Sequence, residues 1–360
     1  MRVLPGGACL LASCIAAVAA AADGGRHADV AALRVETRGT LVLPDDAADA
    51  DGGTAKIAGL SGVAWLGADR YVAVLDNSDR LVRFTLDLAR DGKPLAVRDI
   101  AAVRVGAVHD FEDVVVCPAA FRRAVHAAAG PCLLLAEEDT PAIRSVAESG
   151  GDLLGSVPLP ELLARRRPNR GLESLAVDPD DGGIWTANEE SLAGDGPAPR
   201  EGGGTTVRLV RVPPPAEPRR PTRQYAYDVD PPHAFARVFP GDPLAGVCAI
   251  AALGGGRLLV LERSAGPGLP PFLSRLYLVD TARADDVSAV ARDLAAHAGR
   301  RPTKQLVWEE SLGCNVEGLC LGPPLAAGGR AMVAVADNGG LGTPNQLVVL
   351  ALPPGLVTSP

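Results

Sequence analysis

The strongest constraint on the fold is a sequence pattern that occurs five times along the 360-residue chain. In each copy, an apolar segment is followed by a turn rich in Gly, Pro or Asp and then by a second apolar segment that ends in an acid. Two further strand-like segments follow each of the first four copies, which makes units of four strands. Repeated units of this kind are typical of the blades of a β-propeller. The copies occupy residues 59–78, 110–140, 171–191, 246–264 and 315–339.

The two ends of the chain predict how the ring closes. The fifth copy is followed by a single apolar segment, NQLVVLAL at 345–352, whereas RVETRGTLVLP at 34–44 precedes the first copy without a partner. If this N-terminal segment forms the outer strand of the last blade, no sheet edge is left exposed. We therefore predict an all-β fold, a β-propeller of five four-stranded blades in one domain over residues 33–356. Six blades are the alternative, since residues 265–310 have room for another.

The N-terminal segment predicts export. It reads MRVLPGGACLLASCIAAVAAAADGG, with one Arg, an apolar stretch and a small-residue site, as in a cleaved signal peptide over residues 1–22. The alternative is a lipid anchor, because the sequence LASC resembles the box at which bacterial lipoproteins are cut and acylated, here on Cys14. No later stretch approaches ~20 uninterrupted apolar residues. We therefore expect a periplasmic or secreted protein without a membrane span.

Charge and cysteine content narrow the partners and the redox state. The chain has 35 basic and 43 acidic residues, a formal net charge of -8, which argues against nucleic acid as a partner. An exported protein permits disulfides between the cysteines that lie beyond the signal. In a hairpin without bulges, paired positions have a constant sum, so a register that pairs Glu112 with Glu137 also pairs Cys117 with Cys132. We predict that disulfide, with Cys248–Cys314 as the second candidate pair.

The same hairpins predict an acidic ring at one end of the propeller. The first strand of an antiparallel hairpin starts where the second strand ends, so both positions lie at the same face of the ring. Eight of the ten positions defined in this way are acidic. The strand starts are Ser61, Glu112, Glu173, Cys248 and Glu317, and the strand ends are Asp76, Glu137, Glu189, Glu262 and Asp337.

Carboxylates gathered at one mouth repel one another and therefore predict a bound cation. Neighbouring like charges raise the pKa of each carboxyl group unless a cation neutralises them. Oxygen ligands of this kind suit Ca²⁺, or Mg²⁺ when water molecules complete the coordination, whereas His and Cys are too scarce to favour zinc. Arg263, directly after Glu262, supplies part of the neutralising charge. The predicted metal ligands are Glu112, Glu137, Glu173, Glu262, Glu317 and Asp337.

Several motifs resemble those of the phytase-like family, which is named for the esterase-like activity of phytase. The motifs are DFEDVVV, GLESLAVDPDDGGIWTANEES, LLVLERS and NVEGLCLG with VAVADNGG, spread from Gly59 to Leu352. The resemblance implies an exported propeller that hydrolyses esters or phosphate esters. Ser61 and Cys248 depart from the acidic pattern, which puts in doubt a carboxylate from the first and fourth inner strands. By resemblance, the family's marked positions are Glu112, Glu173, Glu189, Glu262, Arg263, Glu317, Asp337 and Asn338.

These residues favour a monomeric, metal-assisted hydrolase that acts on a small anionic or ester substrate. We predict Glu173, Glu189 and Arg263 as catalytic residues, with one carboxylate as general base and Arg263 beside the negative charge that develops in the reaction. The run ARRRPNRG at 164–171 predicts a rim that binds anions, because guanidinium groups bind phosphate in bidentate fashion.

Two other functions fit the same sequence. A non-catalytic binding or scaffold propeller would use the metal only to rigidify the ring, and a sugar-lactone hydrolase would use the Asp-Asn pairs at 76–77 and 337–338. A serine nucleophile is disfavoured, because no G-x-S-x-G occurs in the sequence. His109, just before DFEDVVV, is a candidate base near the mouth. An open coordination position beside Arg263 would favour an enzyme over a scaffold.

Overall fold

The computed structural model describes residues 33–125, 130–216, 220–337 and 343–357, which form a ring of β-sheets. The predicted signal peptide, Cys14 and Asn338 lie outside these described residues. Within the described ranges, no helix is long and apolar enough to cross a membrane. Three strands precede the first repeat, namely β1 (Glu36–Val42), β2 (Asp46–Asp49) and β3 (Thr54–Lys56).

Each blade has four antiparallel strands, and its inner strand lies beside the inner strands of both neighbouring blades. Blade 1 contains β4 (Leu60–Gly67), β5 (Arg70–Leu75), β6 (Ser78–Leu88) and β7 (Pro94–His109), with β2 and β3 added at its outer edge. Blade 2 contains β8 (Phe111–Val116), β9 (Cys132–Glu137), β10 (Ala142–Ala147) and β11 (Leu153–Val157), and the helix α1 (Ala119–Val125) lies between β8 and β9 in the chain. Blade 3 contains β12 (Leu172–Val177), β13 (Ile184–Asn188), β14 (Thr205–Val212) and β15 (Arg223–Val229).

The second half of the ring confirms five blades. After the short strand β16 (Ala236–Arg237), blade 4 contains β17 (Leu244–Gly254), β18 (Arg257–Ala265), β20 (Phe272–Asp280) and β21 (Thr303–Glu310), while β19 (Gly268–Leu269) pairs with β16. Blade 5 contains β22 (Asn315–Pro324), β23 (Arg330–Asp337), β24 (Gln346–Leu352) and the N-terminal β1. Residues 265–310, where a sixth blade had room, instead supply the two outer strands of blade 4. Short 3-10 helices occupy Glu161–Arg165 and Leu294–Ala296.

The hydrophobic core is divided among the interfaces between successive blades. Along β5, Val72 and Val74 pack toward blade 2, whereas Ala73 and Leu75 pack toward blade 5. Successive side chains of a strand point to opposite faces, so a strand covered on both faces needs apolar residues at nearly every position. This explains why the inner segments are continuous apolar runs, such as β9, which is buried throughout.

The N-terminal strand closes the ring, as the sequence predicts. β1 pairs antiparallel with β24, with Thr40 opposite Val348. At its two ends, the Val35 N–H donates to the Val307 carbonyl at 3.0 Å and the Leu43 N–H donates to the Asn345 carbonyl at 2.9 Å. The strand is therefore attached to both blade 4 and blade 5.

The inner strands touch one another just below one end of the ring. A Cβ at Gly62 would lie 2.4 Å from the Cα of Asp113, so only glycine permits this approach. The Asp113 carboxylate accepts hydrogen bonds from the N–H groups of Val114 at 2.7 Å and Leu175 at 2.6 Å, which ties blade 2 to blade 3. Toward the other end of the ring lies an apolar cavity of about 270 Å³ lined by residues of all five inner strands. The acidic end, called the mouth below, therefore lies above a layer of tight backbone contact.

Candidate functional site

A β-bulge near the start of every inner strand positions the first ring of mouth residues. The pairing register shifts between Phe111 and Asp113 in blade 2, and an equivalent shift occurs in each of the other four blades. A bulge leaves the extra residue out of the ladder and re-aims its side chain. The residues at the bulges are Ser61, Glu112, Glu173, Cys248 and Glu317, which are the five strand starts predicted from the sequence.

The second ring of mouth residues follows the second strand of each hairpin. The N–H of Glu138 donates to the Asp110 carbonyl at 2.9 Å, and the N–H of Glu189 donates to the Gly171 carbonyl at 2.8 Å. The sequence-based register, which assumed no bulges, placed Glu137 and Glu262 in this ring and was one residue short in blades 2 and 4. The residues at the equivalent positions are Asp76, Glu138, Glu189, Arg263 and Asp337.

Glu137 lies opposite Phe111 and does not join the acids of the mouth. Its carboxylate accepts from Arg144 Nε at 2.7 Å and lies 3.0 Å from His109 Nδ1. The bulge at Glu112 is the cause, since it shifts the register so that the next residue, Glu138, takes the mouth position. His109 is accordingly engaged by Glu137, and its proposed role as a base at the mouth has no support in this geometry.

Glu262 is also held away from the mouth acids, by a separate polar cluster between blades 3 and 4. Its carboxylate accepts from the Tyr227 hydroxyl at 2.5 Å and from the Asp230 N–H at 2.9 Å. Lys304 Nζ lies 2.6 Å from the same carboxylate and supplies the compensating charge. Arg263, the next residue in β18, occupies the mouth position instead.

Five carboxylates from blades 1 to 3 form one cluster, called the acid cluster below. Single oxygen atoms of Asp76, Asp110 and Glu112 all lie within 4.8 Å of one another. The same is true of Glu112, Glu138 and Glu173, so Glu112 belongs to both groups. Among the ion pairs of the described residues, none involves any of these five acids.

Burial and mutual repulsion raise the pKa values in the acid cluster. The pKa of Asp76 rises to about 8 because the group is buried and shares a hydrogen bond with Asp110. The pKa of Glu112 and that of Glu173 rise well above the usual range, first through burial and then through the neighbouring carboxylates. Burial also raises the pKa of Glu138, although the Gly171 N–H donates to its carboxylate at 2.6 Å. Without a cation, the cluster therefore retains protons near neutral pH.

A pH dependence follows for the protein without divalent cations. A carboxyl group with a higher pKa in the folded state binds protons more tightly there, so its contribution favours folding at low pH and is lost as the pH rises. For Asp76, the loss extends from the ordinary pKa of 3.8 to about 8. We expect the melting temperature in chelator to fall between about pH 5 and about pH 8. Asp76→Asn should flatten this slope in thermal melts, and an equally steep slope in the variant would contradict the assignment.

The carboxylates on the opposite side of the mouth are paired with arginine side chains. One arm of the Arg263 guanidinium donates to Glu189 and the other donates to Glu317. Arg170 Nη1 lies 3.3 Å from the second oxygen of Glu189, and Arg170 Nε lies 3.0 Å from Glu190. The pKa of Glu317 rises to about 7 because burial outweighs the lowering effect of Arg263. Positive charge is therefore concentrated on blades 3 and 4, and uncompensated negative charge on blades 1 to 3.

Glycines permit the acids of one blade to approach the next blade closely. A Cβ at Gly171 would lie 2.7 Å from Cγ of Glu138, and a Cβ at Gly246 would lie 2.5 Å from Cγ of Glu189. Gly171 immediately precedes β12 and Gly246 lies near the start of β17, in the motifs GLES and GVCA. The glycine that begins these motifs is therefore explained by the carboxylate packed against it.

Two inner strands contribute no carboxylate, as the sequence indicates. The Ser61 hydroxyl donates to the Gly59 carbonyl at 3.3 Å. The Cys248 thiol is buried, its pKa is raised by that burial, and it lies 3.5 Å from the Val316 carbonyl. Asp337 closes the ring opposite Asn315, and its charge contributes to the raised pKa of Glu317.

The predicted disulfides are not formed, although the strand register that suggested the first pair is correct at that point. The Cys117 N–H donates to the Cys132 carbonyl at 2.8 Å, so the two residues face each other, but both are free thiols. Burial and the neighbouring Cys132 raise the pKa of Cys117 to about 12, which keeps the thiol protonated and unreactive. Cys248 and Cys314 are free as well.

Most of the predicted arginine rim has structural partners. Arg165 pairs with Asp195 at 3.4 Å and Arg166 pairs with Asp139 at 3.1 Å. Arg167 donates to the carbonyls of Ser191 and Gly196. A cleft of about 680 Å³ lies beside them, lined by residues that include Arg167, Arg170, Glu190 and Arg200. Arg170 therefore lines both this cleft and the mouth.

Asp110 and Glu138 are the site residues that sequence reasoning did not include. Glu138 follows Glu137 in the sequence EED, and only the bulge decides which of the two faces the mouth. Asp110 occupies a position at which three other blades have Gly59, Gly171 and Gly246. An alignment of the repeats would have indicated Asp110, because it places an acidic side chain where three other copies have glycine.

The fold and the site together define a five-bladed β-propeller with an acidic mouth. The family model described as "Phytase-like: Esterase-like activity of phytase" matches residues 55–340, and the chain belongs to this family. No curated protein matches the sequence.

Solved structures resemble the chain only distantly. A protein from Lactobacillus plantarum is 13% identical, with a TM-score of 0.35 and coverage of 84% of this chain and 86% of that one. An inhibitor-bound humanized mutant of the Chaetomium thermophilum Polycomb Repressive Complex 2 is 11% identical, with a TM-score of 0.38 and coverage of 84% and 70%. Similarity at this level carries no argument about function.

Proposed function

We propose that this phytase-like propeller is an exported, cation-assisted hydrolase of esters or phosphate esters that acts at the mouth. The observation that carries the proposal is the acid cluster, in which five carboxylates lie together without an ion-pair partner among the described residues. Keeping such a cluster ionised is costly unless a cation binds to it. Membership of a family named for esterase-like activity supports a hydrolase.

The donor set of the acid cluster fits a hard divalent cation. All the side-chain atoms that it offers as metal ligands are carboxylate oxygens. Ca²⁺ accepts six to eight oxygen ligands at irregular angles, and Mg²⁺ is the alternative if water molecules complete the coordination. When bound, such a cation would polarise the ester or phosphoryl oxygen of the substrate. Glu112 would hold it together with one of its two neighbouring pairs, either Asp76 and Asp110 or Glu138 and Glu173.

The residues on the other side of the mouth from the acid cluster would stabilise charge on the substrate and accept a proton from the attacking water. Arg263 is held in place by Glu189 and Glu317, so its guanidinium can stabilise negative charge that develops on the substrate. Glu189 Oε2 accepts no hydrogen bond, although Arg170 lies 3.3 Å away. This oxygen is buried without a hydrogen-bond partner among the described residues, and we propose that it takes a proton from a water that enters with the substrate, with Glu189 as the general base.

The cleft beside Arg170 would bind the part of the substrate that does not react. Arg200 lines this cleft and makes no side-chain hydrogen bond or ion pair within the described part of the chain. With Arg167 and Arg170 it favours an anionic group, since guanidinium groups bind carboxylate and phosphate in bidentate fashion. We therefore expect small anionic esters to be better substrates than neutral ones.

The direct test is an assay of the purified protein on matched phosphate and carboxylate esters. Each substrate would be incubated with Ca²⁺, with Mg²⁺ or with chelator, and the release of alcohol would be measured. The proposal expects hydrolysis with a divalent cation and loss of hydrolysis in chelator. Absence of turnover on every ester in the presence of Ca²⁺ would favour the scaffold alternative.

A conservative change at Arg263 separates catalysis from cation binding. Arg263→Lys keeps the positive charge but loses the two-armed contact with Glu189 and Glu317. Removal of one aligned donor to a developing oxyanion costs roughly 100-fold or more in turnover, and we expect a loss of that order. The calcium-dependent shift in melting temperature should persist in the variant. Unchanged turnover would exclude Arg263 from the reaction.

A further inference from the structure

Glu112 connects two separate groups of carboxylates. On one side it lies with Asp76 and Asp110, at the junction of blades 1 and 2. On the other side it lies with Glu138 and Glu173, at the junction of blades 2 and 3. Each group offers three carboxylate oxygens within 4.8 Å of one another. The acid cluster is therefore two ligand sets that share one residue.

Glu112 itself lacks the partners that a buried carboxylate requires. Its side chain is 8% exposed, and it forms no hydrogen bond or ion pair with any described residue. Its bulge aims it into the cluster rather than into the strand ladder. A buried charged group without hydrogen bonds is strongly unfavourable, so this carboxylate points to a ligand that binds on both of its sides.

The charge of the fully ionised acid cluster favours more than one divalent cation. Asp76, Asp110, Glu112, Glu138 and Glu173 carry five negative charges when ionised, and one divalent cation would leave three of them uncompensated. A second would leave a single negative charge. Arg263 is committed to Glu189 and Glu317 and forms no ion pair with the five.

We propose that the mouth binds two divalent cations that share the Glu112 carboxylate. One would be held with Asp76 and Asp110, and the other with Glu138 and Glu173. This inference rests on the proposed function only in placing cations at the mouth. Pairs of cations about 3.5–4 Å apart are typical of enzymes that transfer phosphoryl groups. The arrangement therefore favours phosphate esters over carboxylate esters as the substrate class.

The test is the number of Ca²⁺ ions bound per chain, measured by equilibrium dialysis of the full-length protein and four near-isosteric variants. The wild type should bind two ions more than Glu112→Gln. Asp110→Asn and Glu138→Gln should each lose one ion, from different groups. Glu137→Gln is the matched control, since this neighbour of Glu138 faces away from the mouth, and it should lose none. Circular dichroism and thermal melts would establish that each variant is folded.

The outcomes separate this inference from the proposed hydrolase. A difference of one ion between the wild type and Glu112→Gln, or a Glu112→Gln variant that retains one mouth ion, would overturn the shared site. Identical stoichiometry in the wild type, Asp110→Asn and Glu138→Gln would also overturn it. Two ions at the mouth without turnover of any ester would leave the dinuclear site standing and remove the hydrolase. Turnover by a protein that binds only one ion at the mouth would support the hydrolase and overturn the dinuclear site.

Discussion

Addition of chelator should lower the melting temperature at neutral pH, and Ca²⁺ should restore it. A ligand that binds the folded state at a hundredfold excess over its Kd stabilises that state by roughly 2.7 kcal/mol. At the entropy of unfolding that is typical of a folded domain of this size, such a change corresponds to a shift of roughly 4 °C. The shift should grow as the pH rises through the range in which Asp76 and Glu317 lose their protons.

Glu112→Gln supplies the sharpest form of this prediction, because it has opposite effects with and without the cation. In chelator at neutral pH the variant should be more stable than the wild type, since Glu112 with its raised pKa must take up a proton on folding, whereas the amide is uncharged in both states. In Ca²⁺ it should be less stable than the wild type, since a ligand is lost. Glu137→Gln should retain the calcium response. Melting curves of the wild type that respond to neither chelator nor Ca²⁺ would remove the cation from the account.

Removal of residues 33–44 should abolish cooperative folding. The deletion takes away β1, exposes the edge of the apolar strand β24, and removes the buried side chains of Val35 and Leu43. Two buried aliphatic side chains contribute about 3–6 kcal/mol, and the lost strand ladder adds to this. The total stability of a domain is about 5–15 kcal/mol, so the shortened chain should unfold or aggregate during a thermal melt.

Neighbouring residues at the end of β1 provide a matched control. Leu43 is 1% exposed whereas Val42 is 59% exposed. Leu43→Ala should cost about 2–5 kcal/mol in the free energy of unfolding, while Val42→Ala should change it by less than about 0.5 kcal/mol. Equal effects of the two substitutions in urea titrations, or an unchanged melting temperature after the deletion, would contradict ring closure by this strand.

The propeller could be predicted from the sequence because its signals are local and repeated. Each blade interface needs apolar side chains on both faces of the inner strands, which gives runs such as CLLLAE in β9. Turns between these runs mark the hairpins, and the unpaired segment at 34–44 indicates how the ring closes. Five blades and their order follow from these features without any knowledge of side-chain contacts.

The site could be predicted only to within one residue, because its geometry depends on bulges. A bulge adds a residue to one strand without a clear sequence signal, and it exchanges the two faces of the strand beyond it. In blade 2 this replaces Glu137 by Glu138 at the mouth, and in blade 4 it replaces Glu262 by Arg263. Glu112, Glu173 and Glu317 were predicted correctly at the mouth because they are the bulged residues themselves.

Pairing across a hairpin also proved insufficient to predict a covalent bond. Cys117 and Cys132 face each other as the constant-sum register requires, yet both remain thiols. Opposition in a ladder brings two residues into contact but does not specify the dihedral angles that a disulfide needs. The sequence pattern thus predicted correctly that the two cysteines face each other, but not whether they are bonded.

The most direct measurement of the central claim is anomalous diffraction from crystals of the protein grown with Ca²⁺. We expect anomalous density at the mouth, at about 2.3–2.6 Å from carboxylate oxygens of Glu112 and of both acid groups that flank it. Crystals of Glu112→Gln grown in the same way should lose this density. A mouth without anomalous density at saturating Ca²⁺, or density confined to acids elsewhere on the surface, would contradict the account.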